Sequence, residues 1–459
     1  MARSASIDED RVKALAATFS GALLRSGDDG YEEARRVHNG LIDKRPALIA
    51  RCLETADIVE AIGLARGSGL EISVRGGGHN VAGRAVTNGG LMIDLSLMKG
   101  IYVDPKARTV RAQGGVTWRE FDRATAVHGL ATTGGVISTT GIAGLTLGGG
   151  LGFLMGKHGL AVDNLLSVEL VTAAGEVLNA SAGEHPDLFW ALRGGGGNFG
   201  VAASFEYRLH PLKQVVGGLV AHPFPAAKDV LRFYRGFTQS VPDELAVFAG
   251  LVHAPDGSGV PLAAFVICHA GSVEQAEEDL KPLLGFGSPA MVQVGPMPYP
   301  AVNVMLNAGF PKGALNYWKS SFVRALDDKA IDVMVDRFAD SPSPMSGIVI
   351  EHFHGAVTRV GVSDTAVPHR EPGYNLVLTS VWMDPATTEK NIAWTRATYD
   401  VMAPHLLKKR YVNYLGDDEA AEAVRAAYGP NYARLAQIKR QYDPNNFFRL
   451  NHNIQPAAA

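Results

Sequence analysis

Hydrophobic and polar positions follow two different patterns along the chain, and the change between them falls near residue 212. In the first part, short apolar runs are separated by glycine-rich stretches, and the run at residues 70–74 leads directly into Arg75-Gly-Gly-Gly-His79. This pattern predicts helices over residues 9–24, 56–68 and 118–127, and strands over residues 70–74, 90–95, 109–112, 165–172 and 201–209. The first part therefore combines helices with short strands that end in glycine loops.

After residue 212 the glycine clusters stop, and longer alternating apolar runs are typical of an antiparallel sheet. The predicted strands cover residues 247–252, 263–268, 347–353 and 375–382, and the predicted helices cover residues 227–240, 273–283, 330–340 and 387–403. The segment from about residue 411 to 454 regains aromatic, Asn and Gly residues and contains a predicted helix over residues 431–441. We expect this tail to pack against the first domain, and the whole chain to have an α+β fold.

Composition excludes several classes of protein. Glycine accounts for 52 of the 459 residues, about 11% against a usual value near 7%, and it has no period of three, which excludes a collagen-like chain. A net charge of −3 argues against a nucleic-acid partner. Cys52 and Cys268 lack CxxC spacing and predict neither a zinc site nor a disulfide framework. With no recognisable signal peptide and no run of 18 apolar residues, we expect a cytoplasmic protein without a membrane partner.

Three glycine clusters lie in the first domain, at residues 76–78, 139–152 and 194–200. The last contains Gly195-x-Gly197-x-x-Gly200, but a strand is predicted after it, where a dinucleotide-binding fingerprint requires a helix. The chain has no P-loop and no GxSxG nucleophile elbow. Because glycine lets backbone N–H groups approach a phosphate closely, three clusters in one domain favour a pyrophosphate site over three unrelated tight turns.

These motifs, taken in order, carry a family resemblance. They are Arg75-Gly-Gly-Gly-His79-Asn80, residues 90–96, 140–152, 158–164 and 188–200, Tyr411-Val-Asn413-Tyr414, and residues 442–454. The series resembles the berberine-bridge-enzyme-like FAD-linked oxidases of the vanillyl-alcohol oxidase and p-cresol methylhydroxylase (PCMH) superfamily. The similarity is greatest to bacterial members such as the hydroxynicotine oxidases.

The resemblance implies an α+β architecture with three segments. Residues 1–212 would form a PCMH-type FAD-binding domain of two subdomains, with its core at about 38–213. Residues 213–405 would form a substrate domain with an antiparallel sheet covered by helices, and residues 406–459 would return to the FAD domain as a berberine-bridge-like tail.

The resemblance also implies a covalently bound cofactor. His79 matches the histidine that joins the 8α-methyl group of FAD (8α-histidyl FAD), and a neutral imidazole is a competent nucleophile. Ile137 stands where plant relatives carry a second, cysteinyl link, so only one link is expected. Thr140 stands where the family places an oxygen-gating side chain, usually aliphatic. The implied FAD contacts are Arg75, Gly76, Gly77, Gly78, His79, Asn80, Thr139, Thr140, Gly141, Gly144, Gly149, Gly152, Leu160, Gly200, Val201, Asn413, Asn451 and Asn453.

Candidate catalytic residues come from the tail and from one strand. Tyr414 matches a catalytic tyrosine of several family members, and Tyr411 lies in the same motif. A tyrosine base requires a cationic neighbour to lower its pKa, and Lys319 is the candidate. Within residues 348–354, Glu351 and Phe353 share one face.

His352 and His354 share the opposite face of that strand, so either Glu351 or the histidine pair could line the substrate pocket. The His-x-His pair also raises the alternative of a metal site, but it has no third ligand at a useful spacing, and no metal is predicted.

The function implied is oxidation of a small polar alcohol or amine, cyclic or aromatic, by hydride transfer to flavin N5. Molecular oxygen would reoxidise the flavin and give hydrogen peroxide. Two alternatives stay open: a flavin dehydrogenase with another electron acceptor, and a non-catalytic flavin or ligand carrier. The sequence makes no prediction of the substrate's identity or of the oligomeric state.

Overall fold

The glycine-rich half of the chain builds a four-stranded, a five-stranded and a two-stranded sheet. The structure is a computed structural model that describes residues 9–254 and 256–458. The elements of this half are α1 (Glu9–Thr18), β1 (Ala22–Leu24), α2 (Tyr31–Arg35), β2 (Leu48–Arg51), α3 (Thr55–Ser68), β3 (Ile72–Arg75), β4 (Leu91–Asp94), β5 (Ile101–Asp104), β6 (Thr109–Gln113), α4 (Trp118–Ala126), β7 (Leu130–Ala131), α5 (Ile142–Leu147), α6 (Met155–His158), β8 (Leu165–Val171), β9 (Val177–Ser181), α7 (Pro186–Leu192), β10 (Val201–Arg208) and β11 (His210–Pro211).

The first sheet has the order β1-β2-β4-β3, and β4 runs parallel to both of its neighbours. The second is antiparallel, with the order β5-β6-β10-β8-β9. Helix α3 ends at Gly69, whose φ of 64° is a left-handed conformation that glycine adopts readily. This sharp stop lets the chain turn back into β3, which leads into the first glycine loop.

The second half forms one larger sheet. Its elements, with those of the tail, are β12 (Val215–Pro223), α8 (Ala227–Phe237), β13 (Leu245–His253), β14 (Pro261–His269), α9 (Val273–Leu284), β15 (Met291–Met297), α10 (Tyr299–Val302), β16 (Leu315–Val323), α11 (Asp328–Ala339), β17 (Gly347–Phe353), α12 (Ala356–Arg359), β18 (Gly373–Trp382), α13 (Thr388–Met402), α14 (Ala421–Tyr428) and α15 (Tyr432–Tyr442).

This sheet is antiparallel, with seven strands in the order β15-β12-β14-β13-β17-β18-β16. Helices α8, α9, α11 and α13 cover one of its faces, where Tyr234 and Met334 pack against Phe265 and Ile350. The opposite face points toward the glycine-rich half. The sheet-with-helices arrangement expected from the sequence is therefore present, and a single covered face leaves the other available for a site.

The tail packs against the first half of the chain. Leu435 and Ile454 join the same apolar cluster as Trp190 and Phe199. The ammonium group of Lys439 is fully buried, and it donates to the Asn198 carbonyl at 2.6 Å and to the Asp443 carboxylate at 2.6 Å. These contacts fix the returning segment beside the third glycine cluster.

The predicted opening helix is wrong in its last part, because α1 ends at Thr18 and residues 22–24 form β1 against β2. The chain passes so close to β2 at Gly21 that an added Cβ would lie 1.8 Å from the Arg51 carbonyl oxygen. The second sheet ends at Arg208 and the seven-stranded sheet starts at Val215. On this basis we propose residue 212 as the limit of the first domain. None of the described helices is long and apolar enough to span a membrane.

Candidate functional site

A cavity of about 640 Å³ lies between the glycine-rich half and the uncovered face of the seven-stranded sheet. Three parts of the chain line it: the glycine loops, strands of the large sheet, and the tail. Phe153 and Phe248, whose ring centroids are 5.4 Å apart, pack the two halves together beside it. A cavity of this size and position can hold a small-molecule ligand, and its walls differ in chemistry.

Backbone atoms form much of the first wall. Residues 76–80, Thr140, Gly141, Gly144, Gly196, Gly197 and Gly200 line it. A Cβ at Gly77 would lie 2.3 Å from the Gly141 nitrogen, so the first two loops pack backbone against backbone. A Cβ at Gly144 or Gly197 would meet no atom within 4 Å, because these positions border the cavity. A ligand can therefore approach the main chain closely along this wall.

His79 closes the first loop and lines the cavity. Its ring stacks on that of His38, with centroids 3.8 Å apart, and its Nε2 lies 3.4 Å from Thr139 Oγ1. Burial, with a smaller contribution from His38, lowers the pKa of His79 to about 3. The imidazole is therefore neutral at physiological pH and retains a nucleophilic nitrogen.

Several buried polar atoms on this side have no hydrogen-bond partner in the protein. They are the Oδ1 atoms of Asn80 and Asn451, Arg84 Nε and both ring nitrogens of His452, and all four residues line the cavity. Buried polar groups are normally satisfied, so these atoms favour a polar ligand. His452 was not predicted from the sequence, although it lies between the two predicted asparagines Asn451 and Asn453.

Glu351 and Tyr414 form a hydrogen-bonded pair in the cavity wall. The Tyr414 hydroxyl donates to Glu351 Oε1 at 2.8 Å, and Asn375 Nδ2 donates to Oε2 at 2.7 Å. Burial raises the pKa of Glu351 to about 7, so the carboxyl group is partly ionised at neutral pH. Burial and the nearby carboxylate hold the pKa of Tyr414 well above its ordinary value. Glu351 is thus the member of the pair able to accept a proton near neutral pH.

The expected role of Lys319 is wrong. Its ammonium group donates to Glu419 at 2.8 Å and to Asp418 at 3.2 Å. Neighbouring side chains on a strand point in opposite directions, and it is Trp318 that lines the cavity and packs edge-on against Tyr414. The neighbour of Tyr414 is therefore an acid, not a cation.

The structure decides between the two faces of β17. Glu351 lines the cavity, whereas His352 packs against Tyr374 and stacks on His354, with ring centroids 4.5 Å apart. Phe353 shares the face of Glu351 but packs against Phe322. Among the described residues, no group of three or more His, Cys, Asp or Glu side chains is placed to hold a metal ion.

Tyr411 also lines the cavity, but its hydroxyl oxygen is occupied. It accepts hydrogen bonds from the Gly150 nitrogen at 2.9 Å, the Leu151 nitrogen at 3.2 Å and Asn413 Nδ2 at 3.0 Å. Burial raises its pKa to about 12. The geometry therefore gives Tyr411 a positioning role, joining the tail to the second glycine cluster, and does not favour the proton-transfer role considered for it.

Some of the FAD contacts implied by the family do not line the cavity. They are Arg75, Thr139, Gly149, Gly152, Leu160, Val201 and Asn453. Arg75 follows Val74 on β3, so its side chain points the other way, toward the Ala34 carbonyl and Asp94. Gly152 packs against Gly134, whose carbonyl oxygen would lie 1.8 Å from an added Cβ. The other implied FAD contacts, Asn413 among them, line the cavity, and so does Ile137.

Comparison with known proteins agrees with this geometry. The model of an FAD binding domain matches residues 46–181, and the berberine and berberine-like model matches residues 410–455. The (R)-6-hydroxynicotine oxidase of Paenarthrobacter nicotinovorans is 32% identical over 458 residues, covering 96% of this chain and 97% of that protein.

Solved structures confirm the expected α+β fold. The crystal structure of 6-hydroxy-D-nicotine oxidase from Arthrobacter nicotinovorans superposes with a TM-score of 0.88 at 31% identity, covering 96% of this chain and 99% of that one. Phl p 4, a grass pollen allergen with glucose dehydrogenase activity, gives a TM-score of 0.87 at 22% identity, covering 98% and 100%. Sequence, site and fold agree, and the chain belongs to the berberine-bridge-enzyme-like family of FAD-linked oxidoreductases.

Proposed function

We propose that this enzyme is an oxidase that removes a hydride from an alcohol or amine and passes the electrons through FAD to molecular oxygen. The observation that carries this proposal is the buried Glu351–Tyr414 pair, which shares one cavity with His79 and the glycine loops. When bound, FAD would supply the hydride acceptor, N5, and the route by which oxygen is reduced to hydrogen peroxide.

The residues of the first wall fit an FAD molecule. The open backbone at Gly144 and Gly197 suits a pyrophosphate, and the unpartnered atoms of Asn451 and His452 suit the polar edges of a flavin. His79 is neutral and would hold the cofactor covalently through a ring nitrogen at the 8α position. Ile137 lines the cavity but has no nucleophile, so it would form no second link.

Glu351 and Tyr414 would handle the substrate proton. In its ionised form Glu351 would accept the proton of the substrate O–H or N–H group, either directly or through the Tyr414 hydroxyl that donates to it. Asn375 holds the second carboxylate oxygen and so fixes the orientation of the acid. A base with a pKa near the working pH is efficient, because it is available in the ionised form and still accepts a proton readily.

A dehydrogenase is the second candidate. Phl p 4, which shares the fold, is described as having glucose dehydrogenase activity. Thr140 lines the cavity at the position where the family usually has an aliphatic oxygen gate. A polar side chain there can hold water and alter the access of oxygen to the reduced cofactor.

One sequence of measurements tests the proposal. Purified protein is mixed anaerobically with a panel of alcohols and amines, bleaching of the flavin absorbance is recorded, and air is then admitted while hydrogen peroxide is assayed. An oxidase reoxidises rapidly and releases peroxide. Slow reoxidation in air, with rapid reoxidation by a quinone, would show a dehydrogenase instead. A flavin that no compound in the panel reduces would favour a non-catalytic carrier.

A further inference from the structure

The face of the large sheet that forms the cavity floor is unusually apolar. On β14, Ala263 and Phe265 are fully buried against the covering helices, whereas Leu262, Ala264 and Val266 are half-buried and line the cavity. The same alternation on the neighbouring strands gives a floor made of every second residue.

Strand register arranges this floor in rows. One complete row runs across five strands through Ala221, Ala264, Gly250, Val349 and Val377. A further row contains Leu262 paired with Val252, and Gly347 paired with Thr379. Gly250 and Ala264 in the first row, and Gly347 in the second, have small side chains or none, and they leave a trough above the sheet.

The trough extends well beyond the proposed catalytic pair. Glu351 and Gly347 lie four residues apart on β17, which at about 3.3 Å per residue corresponds to roughly 13 Å. Trp318 and Phe310, whose ring centroids are 5.6 Å apart, line the cavity together with Met305. The trough is therefore longer than one six-membered ring and is bordered by aromatic and sulfur-containing side chains.

Polar groups along this trough are few. Among the described residues that line the cavity from this face of the sheet, Glu351 is the only one with a charged side chain. The Thr379 hydroxyl donates to the Gly347 carbonyl at 3.1 Å, and the Ser346 hydroxyl is used by the backbone of Val381. His253 also lines the cavity, but its ring packs against Phe338 in the helix-covered core. Its Nδ1 and Trp318 Nε1 are the buried side-chain polar atoms without a protein partner among the described residues that line the trough.

We propose that the substrate is an extended, largely apolar molecule, at least two rings long, with its oxidisable hydroxyl or amino group at the end beside Glu351 and Tyr414. This inference rests on the proposed oxidation and names the substrate class of that site. It departs from the small polar substrate expected from the sequence, because in the proposed molecule only the reacting group is polar. A sugar fits poorly, because its many hydroxyl groups would lose water along the trough, where Trp318 Nε1 and His253 Nδ1 are the only unpartnered side-chain polar atoms among the described residues.

The first test measures binding without any reaction. N-phenyl-1-naphthylamine, a neutral two-aryl fluorophore, is titrated into the holoenzyme and into the variants Gly250→Val and Ala264→Leu, which fill the central row. Gly295→Val is the matched control, because Gly295 lies on β15 of the same sheet, away from the lining, and an added Cβ there meets no atom within 4 Å.

The wild type and the control should bind the probe alike, and each filled variant should bind it roughly tenfold more weakly, since the buried apolar area is lost. A Cβ at Gly250 would lie 3.3 Å from Val252 Cγ1, a tight contact, so Ala264→Leu provides a second variant if the first is unstable. Equal binding by the wild type and a folded filled variant would overturn the inference.

The second test uses flavin reduction under anaerobic conditions. Benzyl alcohol is compared with 4-biphenylmethanol, benzylamine with 4-biphenylmethylamine, and D-glucose is the polar comparison. The two-ring compounds should half-saturate reduction at a roughly tenfold lower concentration than their one-ring partners, and filling the trough should remove this advantage. Reduction by glucose without any two-ring advantage would overturn the inference and leave the oxidase proposal intact. If no compound reduces the flavin, the proposed function fails, and the probe titration alone then tests whether the trough binds an extended apolar molecule.

Discussion

The two walls of the cavity are built by opposite means. Main-chain atoms form much of the wall at residues 76–80 and at Thr140, Gly141 and Gly144, where glycines allow two loops to pack backbone to backbone. Side chains form the floor on the seven-stranded sheet, where strand alternation presents every second residue to the cavity. The motifs that carry the family resemblance lie in the first wall and in the tail, and none of them lies in the floor.

This difference shows how such an enzyme divides its tasks. A wall made of backbone tolerates few side-chain changes without losing its shape, so it suits a cofactor that stays the same. A sheet face can change each outward side chain without altering the strand register, so it suits a substrate that differs between relatives. Variants on the two walls should therefore have separate effects, one on cofactor loading and the other on substrate turnover.

The largest effect is expected at His79. Replacing it with alanine removes the proposed nucleophile. Ile137, which also lines the cavity, has no nucleophilic atom that could take its place. Intact mass under denaturing conditions should show the wild type heavier by one FAD and His79→Ala at the mass of the bare polypeptide. His38→Phe keeps an aromatic ring on the stack and serves as the control, with its covalent FAD retained. A bare polypeptide mass in the wild type would contradict the covalent link.

The second-largest effect is expected at Glu351, on the floor of the cavity. Glu351→Gln keeps the size of the side chain but removes the base, so the rate constant for flavin reduction should fall by about 10²–10⁴-fold, while the covalent FAD stays at the wild-type level. In the wild type this rate should rise with pH, because the pKa of Glu351 is raised to about 7 and only its ionised form accepts a proton. The rise should level off about one pH unit above that pKa and should be absent in the variant. A pH profile shared by both proteins would place the base elsewhere.

Two glycines of the first wall, Gly77 and Gly144, should respond differently to an added methyl group. A methyl group at Gly77 would lie 2.3 Å from the Gly141 nitrogen, so Gly77→Ala should destabilise the protein by about 1–3 kcal/mol or more. At Gly144 a methyl group meets no protein atom, and alanine favours the helix there, so stability of the apoprotein should be unchanged or higher. The same methyl group projects toward the cavity and should reduce FAD loading. Thermal unfolding measures the loss of stability, and flavin absorbance measures the loss of FAD. Two variants with the same stability and the same FAD content would contradict this prediction.

Sequence patterns predicted the backbone-built wall better than the side-chain-built floor. Runs such as Arg75-Gly-Gly-Gly-His79 are local, so their resemblance to the motifs of a family was enough to indicate an FAD-binding domain, and 11 of the 18 implied FAD contacts line the cavity. The strands at 347–353 and 375–382 were also predicted within two residues of their observed ends, because their alternation is regular.

Contacts between distant segments were not predictable in the same way. The partner of Tyr414 is Glu351, 63 residues away, and Lys319 was chosen in its place because the sequence shows charge but not which face of β16 carries it. The apolar trough depends on cross-strand pairs such as Ala264 with Gly250, which only the register reveals. His452 was overlooked for a similar reason, since its unpartnered nitrogens become visible only in the folded chain.

The smallest predicted effect separates the two tyrosines of the tail motif, which lie three residues apart. Tyr411→Phe leaves the backbone N–H groups of Gly150 and Leu151 without their acceptor, so stability should fall by about 1–3 kcal/mol while the pH profile of flavin reduction keeps its midpoint. Tyr414→Phe removes a hydrogen bond that lowers the pKa of Glu351, so the midpoint of the pH profile should move upward with little change in stability. Because each variant is the control for the other, thermal unfolding and rapid-mixing reduction across pH are sufficient to assign the roles. A midpoint that moves in Tyr411→Phe but not in Tyr414→Phe would reverse the assignment and place the proton-transfer group on the glycine side of the cavity.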